Sequence, residues 1–290
     1  MSPRLAGIAL VAPAVAVIGV FFFLPIAAAL ALSFTDFDIY ALGDRSALRF
    51  VGLGNYARLL DSPRFWIALR NTAVFCAVCG PLSVAAALGA ALLVNARVAR
   101  LRALFRTVFF APAVTTLVAV AVVWRYLYHP RGLANEALAL VGLGPVDWLG
   151  DPRFALPAII AMAVWKNFGF SMVIFLAGLQ AIPTQLLEAA SIDGAGPLRR
   201  LRHVTLPLLA PTLLFVAVIT AVGYLQLFAE PYVMTQGGPS DATLSVVLLM
   251  YEEGFRWWNL GTAAAVAFVL FAAVLAVTAL QLRLGRERAA

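Results

Sequence analysis

Six stretches of the chain, residues 5–32, 72–94, 107–124, 154–180, 204–229 and 260–282, run apolar and almost free of charge. About 20 such residues, wound as a helix, are enough to cross the hydrocarbon core of a bilayer. Backbone in that medium must satisfy its hydrogen bonds internally, so only helices and closed barrels span it. None of the six runs shows the strict alternation of a barrel strand. The expected fold class is therefore an all-α polytopic membrane protein with six transmembrane helices. Only the fourth run carries an internal charge, Lys166. The rest of the chain agrees: 12% of its residues are charged, against about 25% in a typical soluble domain. The first run follows a short basic start, as in a signal peptide. Its apolar length exceeds an h-region of about 7–15 residues, so it reads as a retained helix.

The arginines set the expected orientation. With the N-terminus inside, the inner segments hold Arg4, then Arg97, Arg100, Arg102 and Arg106, then Arg199, Arg200 and Arg202, and finally Arg283, Arg286 and Arg288. Against these eleven stand Glu188, Asp193 and Glu287, which makes the inside +8. The other ten basic and eleven acidic residues make the outside −1, and the two sum to the net +7. The positive-inside rule then places both termini in the cytoplasm. The basic balance reflects topology and calls for no nucleic-acid partner.

Enzymatic readings fall away on simple grounds. Lys166 is the only lysine and no Gly-Lys-Ser/Thr surrounds it, so a phosphate-binding P-loop is absent. The two histidines, His129 and His203, are far apart, and neither HExxH nor GxSxG occurs. Cys76 and Cys79, three apart in an apolar run, read as small packing residues rather than a redox pair. The expectation is a protein without catalytic residues, metal or cofactor of its own.

The segment 183–205 breaks this pattern. After Pro183, Thr184 can cap a short helix whose early turns hold Glu188, suited to the positive end of a helix dipole. Gly194 can end it in the left-handed conformation, and Gly196-Pro197 starts a second, basic helix. From physics alone this helix pair either docks a partner or lies on the lipid headgroups.

Glu188-Ala189-Ala190, then Asp193-Gly194-Ala195, then Leu206-Pro207 resemble the EAA loop of bacterial ABC-importer permeases, the inner-membrane components of binding-protein-dependent transport systems. FVGLGNYARLL (50–60), FWIALRNT (65–72), WRYLYHPRGLAN (124–135), FLAGLQAIP (175–183) and YVMTQGGP (232–239) resemble further stations of the carbohydrate-uptake branch, the maltose- and multiple-sugar-type permeases. The resemblance thus covers nearly the whole chain. It implies the type I importer permease fold, both termini cytoplasmic, in one transmembrane domain spanning residues 1–290. It implies a second, homologous permease, an extracytoplasmic sugar-binding protein, and two ATP-binding subunits that hold the ATP and magnesium. It also implies that Glu188, Ala189, Ala190, Asp193 and Gly194 form the coupling helix seated in the ATPase, at the inner face of a bacterial membrane.

Trp165, Lys166, Asn167, Tyr224 and Gln226 are candidates for the solute path, because sugars are held by aromatic faces and hydrogen bonds. Ordinary helix packing is the alternative for each. Asn71 reads as a cap of the second run, and Glu230-Pro231 as the end of the fifth. Residues 57–69 read as an interfacial helix, and 243–251 as an interfacial or re-entrant helix followed by the aromatic FRWW (255–258). Two other classes compete. A secondary transporter needs an intramembrane acid, which no run contains, and a membrane scaffold needs no polar path. Within the family, polyols, glycerol-phosphate or another small solute compete with sugar.

Overall fold

The computed structural model describes residues 3–39, 48–96 and 101–287. Arg97, Arg100 and Arg288, used above to assign charge to the inner side, lie outside them. The described chain is helical, with a lone antiparallel bridge between Thr35 and Phe50.

α1 (Pro3–Ile18) continues through a π-helical turn, Gly19–Phe23, into α2 (Leu24–Ser33). α3 (Gly54–Asp61) follows, and α4 (Pro63–Asn95) then runs for 33 residues. The predicted interfacial stretch 57–69 is therefore the end of α3 and the first turns of α4. The third run differs from expectation. It is two helices, α5 (Arg102–Val114) and α6 (Leu117–Leu127), bent by 99°. Pro112 has no N–H for the helical ladder, and Thr115 and Thr116 leave it with extended ψ values of 145° and 139°.

α7 (Leu133–Leu140) leads to α8 (Pro152–Gln180), which starts on Pro152 with the Asp151 carboxylate accepting from the Arg153 N–H. α9 (Thr184–Ile192) and α10 (Pro197–Arg200) form the loop. α10 passes through a π turn, Leu201–Thr205, directly into α11 (Leu206–Leu225). The fifth run is thus one helix from Pro197 to Leu225, and the second loop helix is its first turns. α12 (Ala229–Met234), α13 (Val246–Tyr251) and α14 (Leu260–Glu287) complete the chain.

The contacts divide the chain into two compact units. The first, residues 1–66 with 249–271, is held by a buried polar knot. The Asn55 Nδ2 donates to the Ser33 and Thr35 carbonyls at 2.8 and 2.7 Å, and the Gly261 N–H donates to Phe37 O at 2.9 Å. A Cβ on Gly261 would stand 2.2 Å from Thr35 O, so only glycine allows this approach. Buried Glu252 receives Arg64 at 2.7 Å and Arg256 at 3.2 Å.

The second unit, residues 67–248 with 272–290, holds the apolar core. α8 is its centre: 56% of its most apolar window is buried, against none in residues 10–33. Ile159, Met162, Met172 and Phe175 on α8 are fully buried. At Gly169 the backbone of α5 comes so close that a Cβ would lie 1.9 Å from Phe109 O, the small-residue contact by which membrane helices pack.

One sequence expectation fails in this unit. Asn71 is no cap: it lies inside α4, 3% exposed, and donates to the carbonyls of Asp241 (2.8 Å) and Leu244 (3.1 Å). Beside it the Thr72 hydroxyl accepts from the Val246 N–H at 3.0 Å. These bonds hold the run after 242 against α4, where Thr243, Leu244 and Ser245 are fully buried. Phe255, Trp257 and Trp258 do stay exposed.

Candidate functional site

An apolar helix core tolerates isolated polar side chains only where they find partners or line a wet cavity. The second unit gathers several around an open pocket of about 280 Å³. α4 contributes Ser83; α8 contributes Asn167, Phe170 and Ser171; α11 contributes Thr220 and Tyr224; α12 contributes Glu230. Ser83 Oγ and Tyr224 Oη are 2.6 Å apart, and the Tyr224 ring meets Phe75 edge-on at 5.3 Å. Tyr224 is 6% exposed, so its ring is packed and mainly its hydroxyl end is left for other roles.

The five path candidates part company here. Asn167 and Tyr224 line the pocket. Lys166 is buried beside it, where its ammonium and the Glu230 carboxylate act on each other's charge. Trp165 is 42% exposed on another face of α8, its ring 5.6 Å from that of Trp124. Gln226 is the exposed C-cap of α11. Neither of these two lines the pocket. Ser83, Ser171 and Thr220 went unnoticed in the sequence, although each is a hydroxyl in an apolar run. Glu230, expected to do no more than end the fifth run, is 8% exposed and lines the pocket.

The loop forms a second candidate site. The cap differs from the sequence reading: Pro183 holds the N-cap position of α9, with no side-chain cap, and Glu188 lies beyond the first turn. The dipole effect falls off within that turn, so the placement of Glu188 needs another reason. The C-terminal end is as expected. Gly194 has φ +77°, its N–H donates to Ser191 O at 3.1 Å, and the Ala195 N–H donates to Ala190 O at 2.9 Å. This pair of bonds is a Schellman motif and satisfies carbonyls the helix would leave bare. The Arg200 guanidinium donates to Ser191 Oγ at 2.7 Å and ties α10 back to α9. No residue of α9 is buried, and Ile192 (87%) and Leu198 (77%) expose large apolar side chains around the turn.

The sequence and fold agree with known proteins over almost their whole length. Residues 63–289 match the family described as binding-protein-dependent transport system inner membrane component. The lactose transport system permease protein LacF of Rhizobium radiobacter is 38% identical over 283 residues, covering 96% of this chain and 93% of that protein. The trehalose/maltose transport system permease protein MalF of Thermococcus litoralis is 36% identical, covering 97% and 94%. A chain of the bacterial alginate ABC transporter, solved with an alginate pentasaccharide-bound periplasmic protein, shares the fold. Its TM-score is 0.82 at 21% identity, over 97% of this chain and 94% of that one. On the agreement of motifs, helices and relatives, this chain belongs to the family of binding-protein-dependent transport system inner membrane components.

Proposed function

We propose that the chain is one of two permease subunits of an ATP-driven importer and forms half of the path for a carbohydrate. The observation that carries this reading is the pocket: hydroxyls, an amide, an aromatic ring and a carboxylate converge in an otherwise apolar helix core. The names of full-length relatives that move lactose, trehalose and maltose support carbohydrate as the solute. A relative named for sn-glycerol-3-phosphate transport, 35% identical, supports phosphorylated glycerol as the second reading.

In this reading an extracytoplasmic binding protein delivers the solute, and both termini lie in the cytoplasm. Two ATPase subunits, which hold the ATP and magnesium, receive the loop 183–205. Glu188, Ala189, Ala190, Asp193 and Gly194 form the coupling helix seated in them, and the apolar Ile192 and Leu198 beside them supply surface to bury. Bound ATP biases a two-state arrangement of the permease pair.

The test is purification of this chain from its native membrane. It should carry an ATPase and a second permease, and in vesicles import a sugar only with ATP and the binding protein. Reporter fusions after Arg200 and Arg286 should read cytoplasmic, and those after Asp147 and Asp241 outside. A chain that transports alone, driven by an ion gradient, would sink the proposal.

A further inference from the structure

We propose that the groove headed by Arg106, along α5 and α8, is a binding site for an anionic phospholipid. The inference goes beyond the transport reading and does not depend on the solute path.

The residues of α5 dictate an amphipathic strip. Arg106 and Thr107 stand one turn before Phe110 and Ala111, and Val114 follows one turn later. Residues three and four apart share a helix face, so one face passes from guanidinium through hydroxyl to hydrocarbon. With Val173 of α8 these five line an open groove of about 290 Å³. The two helices are locked beside it: at Gly169, one turn before Val173, the Phe109 carbonyl leaves no room for a Cβ. The groove is therefore formed before any ligand arrives, which lowers the ordering cost of binding. Its volume falls just short of sites that enclose a small molecule, about 300–1,000 Å³. It suits a stretch of one acyl chain, with the rest of the lipid left in the bilayer.

Charge and shape select the occupant. Among the described residues neither the Arg106 guanidinium nor the Thr107 hydroxyl has a hydrogen bond or ion pair. Neither α5 nor α8 carries an acidic residue to neutralise the arginine. Arg102, one turn earlier, donates to the Ala96 carbonyl at 2.8 Å and adds its charge to the same end. A guanidinium presents parallel N–H donors that match two oxygens of a phosphate. Basic pockets between membrane helices at headgroup depth take anionic lipids for this reason. From Arg106 to Val114 the helix rises about 12 Å, against about 15 Å for one leaflet of a hydrocarbon core. A phosphate held at Arg106 thus lays its chain over Phe110, Ala111, Val114 and Val173. A helix of another subunit, about 10 Å across, could insert only single side chains here. An acyl chain enters along its length.

The probe is phosphatidylglycerol with a diazirine midway along one acyl chain. It is photolysed with the full chain, purified with any subunits that accompany it and stripped of native lipid, and the labelled residues are mapped by proteolysis and mass spectrometry. Label should fall on 107–114 and on the α8 turn around Val173. Unlabelled phosphatidylglycerol should displace the probe about fivefold better than phosphatidylcholine, the worth of one arginine at a lipid surface. Arg106→Gln, at an exposed position, should abolish that preference, and Arg106→Lys should keep most of it. Ala111→Trp should fill the groove and remove the label. Equal displacement by the two lipids overturns the inference, as does a preference that survives Arg106→Gln. Label spread evenly over the exposed helices would mean bulk lipid without a site. An unlabelled α5 would mean that another subunit covers the groove; either result sinks the proposal. Glycerol phosphate, which has the phosphate and no chain, should not displace the probe. Displacement by it as strong as by the lipid would assign the arginine to a soluble phosphate and refute the lipid.

Discussion

Substitution of Gly194 tests whether the loop works through its backbone geometry. The residue sits at φ +77°, and a Cβ built there meets no atom within 4 Å. The whole cost of a side chain is therefore conformational. For an L-residue in this region it is about 1–2 kcal/mol, roughly a five- to thirtyfold loss of the native turn. Asn tolerates the region and should cost least; Ala is intermediate; β-branched Val is worst. The turn orients α9 and α10 through the Gly194 and Ala195 N–H bonds, so the damage falls on the face they present together. α9 and α10 bury no residue, and membrane abundance should stay near wild type in all three variants. Co-purification of the ATPase and ATP-dependent uptake in vesicles should fall in the order Asn, Ala, Val. Uptake of Gly194→Val at the wild-type rate would refute the reasoning. So would an Asn variant as impaired as Val, since that result would point to side-chain bulk in an interface, not to φ.

Three further outcomes follow from the fold. Gly169→Ala should lower the thermal midpoint of the detergent-solubilised protein sharply, because the new methyl would lie 1.9 Å from Phe109 O and a backbone cannot step aside as a side chain can. Asn71→Leu should destabilise by about 1–3 kcal/mol, since it takes the amide donor from the Leu244 carbonyl in a buried site and one of two donors from the Asp241 carbonyl; the same thermal assay reads it. The Arg153 hydrogen bonds hold the Asp151 carboxyl below the usual carboxylate range. Its contribution to the start of α8 is present above the unfolded value of about 4 and is lost as the pH falls through the lowered folded value. Asp151→Asn, which keeps the capping acceptor, should flatten the fall in thermal midpoint below about pH 4; an unchanged acid slope would remove Asp151 from the account.

The length of the apolar runs and the rarity of charge were enough to read the all-α class, because lipid leaves the backbone no alternative to internal hydrogen bonding. Gly194 and Pro197 were legible for a related reason: a left-handed C-terminal residue and a proline at a first helical position are local constraints, settled by neighbours in sequence. Lys166 stood out as a lone charge, and Asn167 and Tyr224 as polar groups in apolar runs. Tertiary structure decided what local rules cannot reach. The 99° bend after Val114 was invisible in a run of uniform hydrophobicity. Asn71 looked like a cap until its partners turned out to be 170 and 173 residues away. Which hydroxyls share a pocket, and that Glu230 joins them while Trp165 and Gln226 do not, depends on how α4, α8, α11 and α12 are rotated against one another. Hydropathy is nearly the same on every side of a helix bound for lipid. It can therefore name the helices that cross and leave open which face each turns inward, and close packing at points such as Gly169 makes that choice.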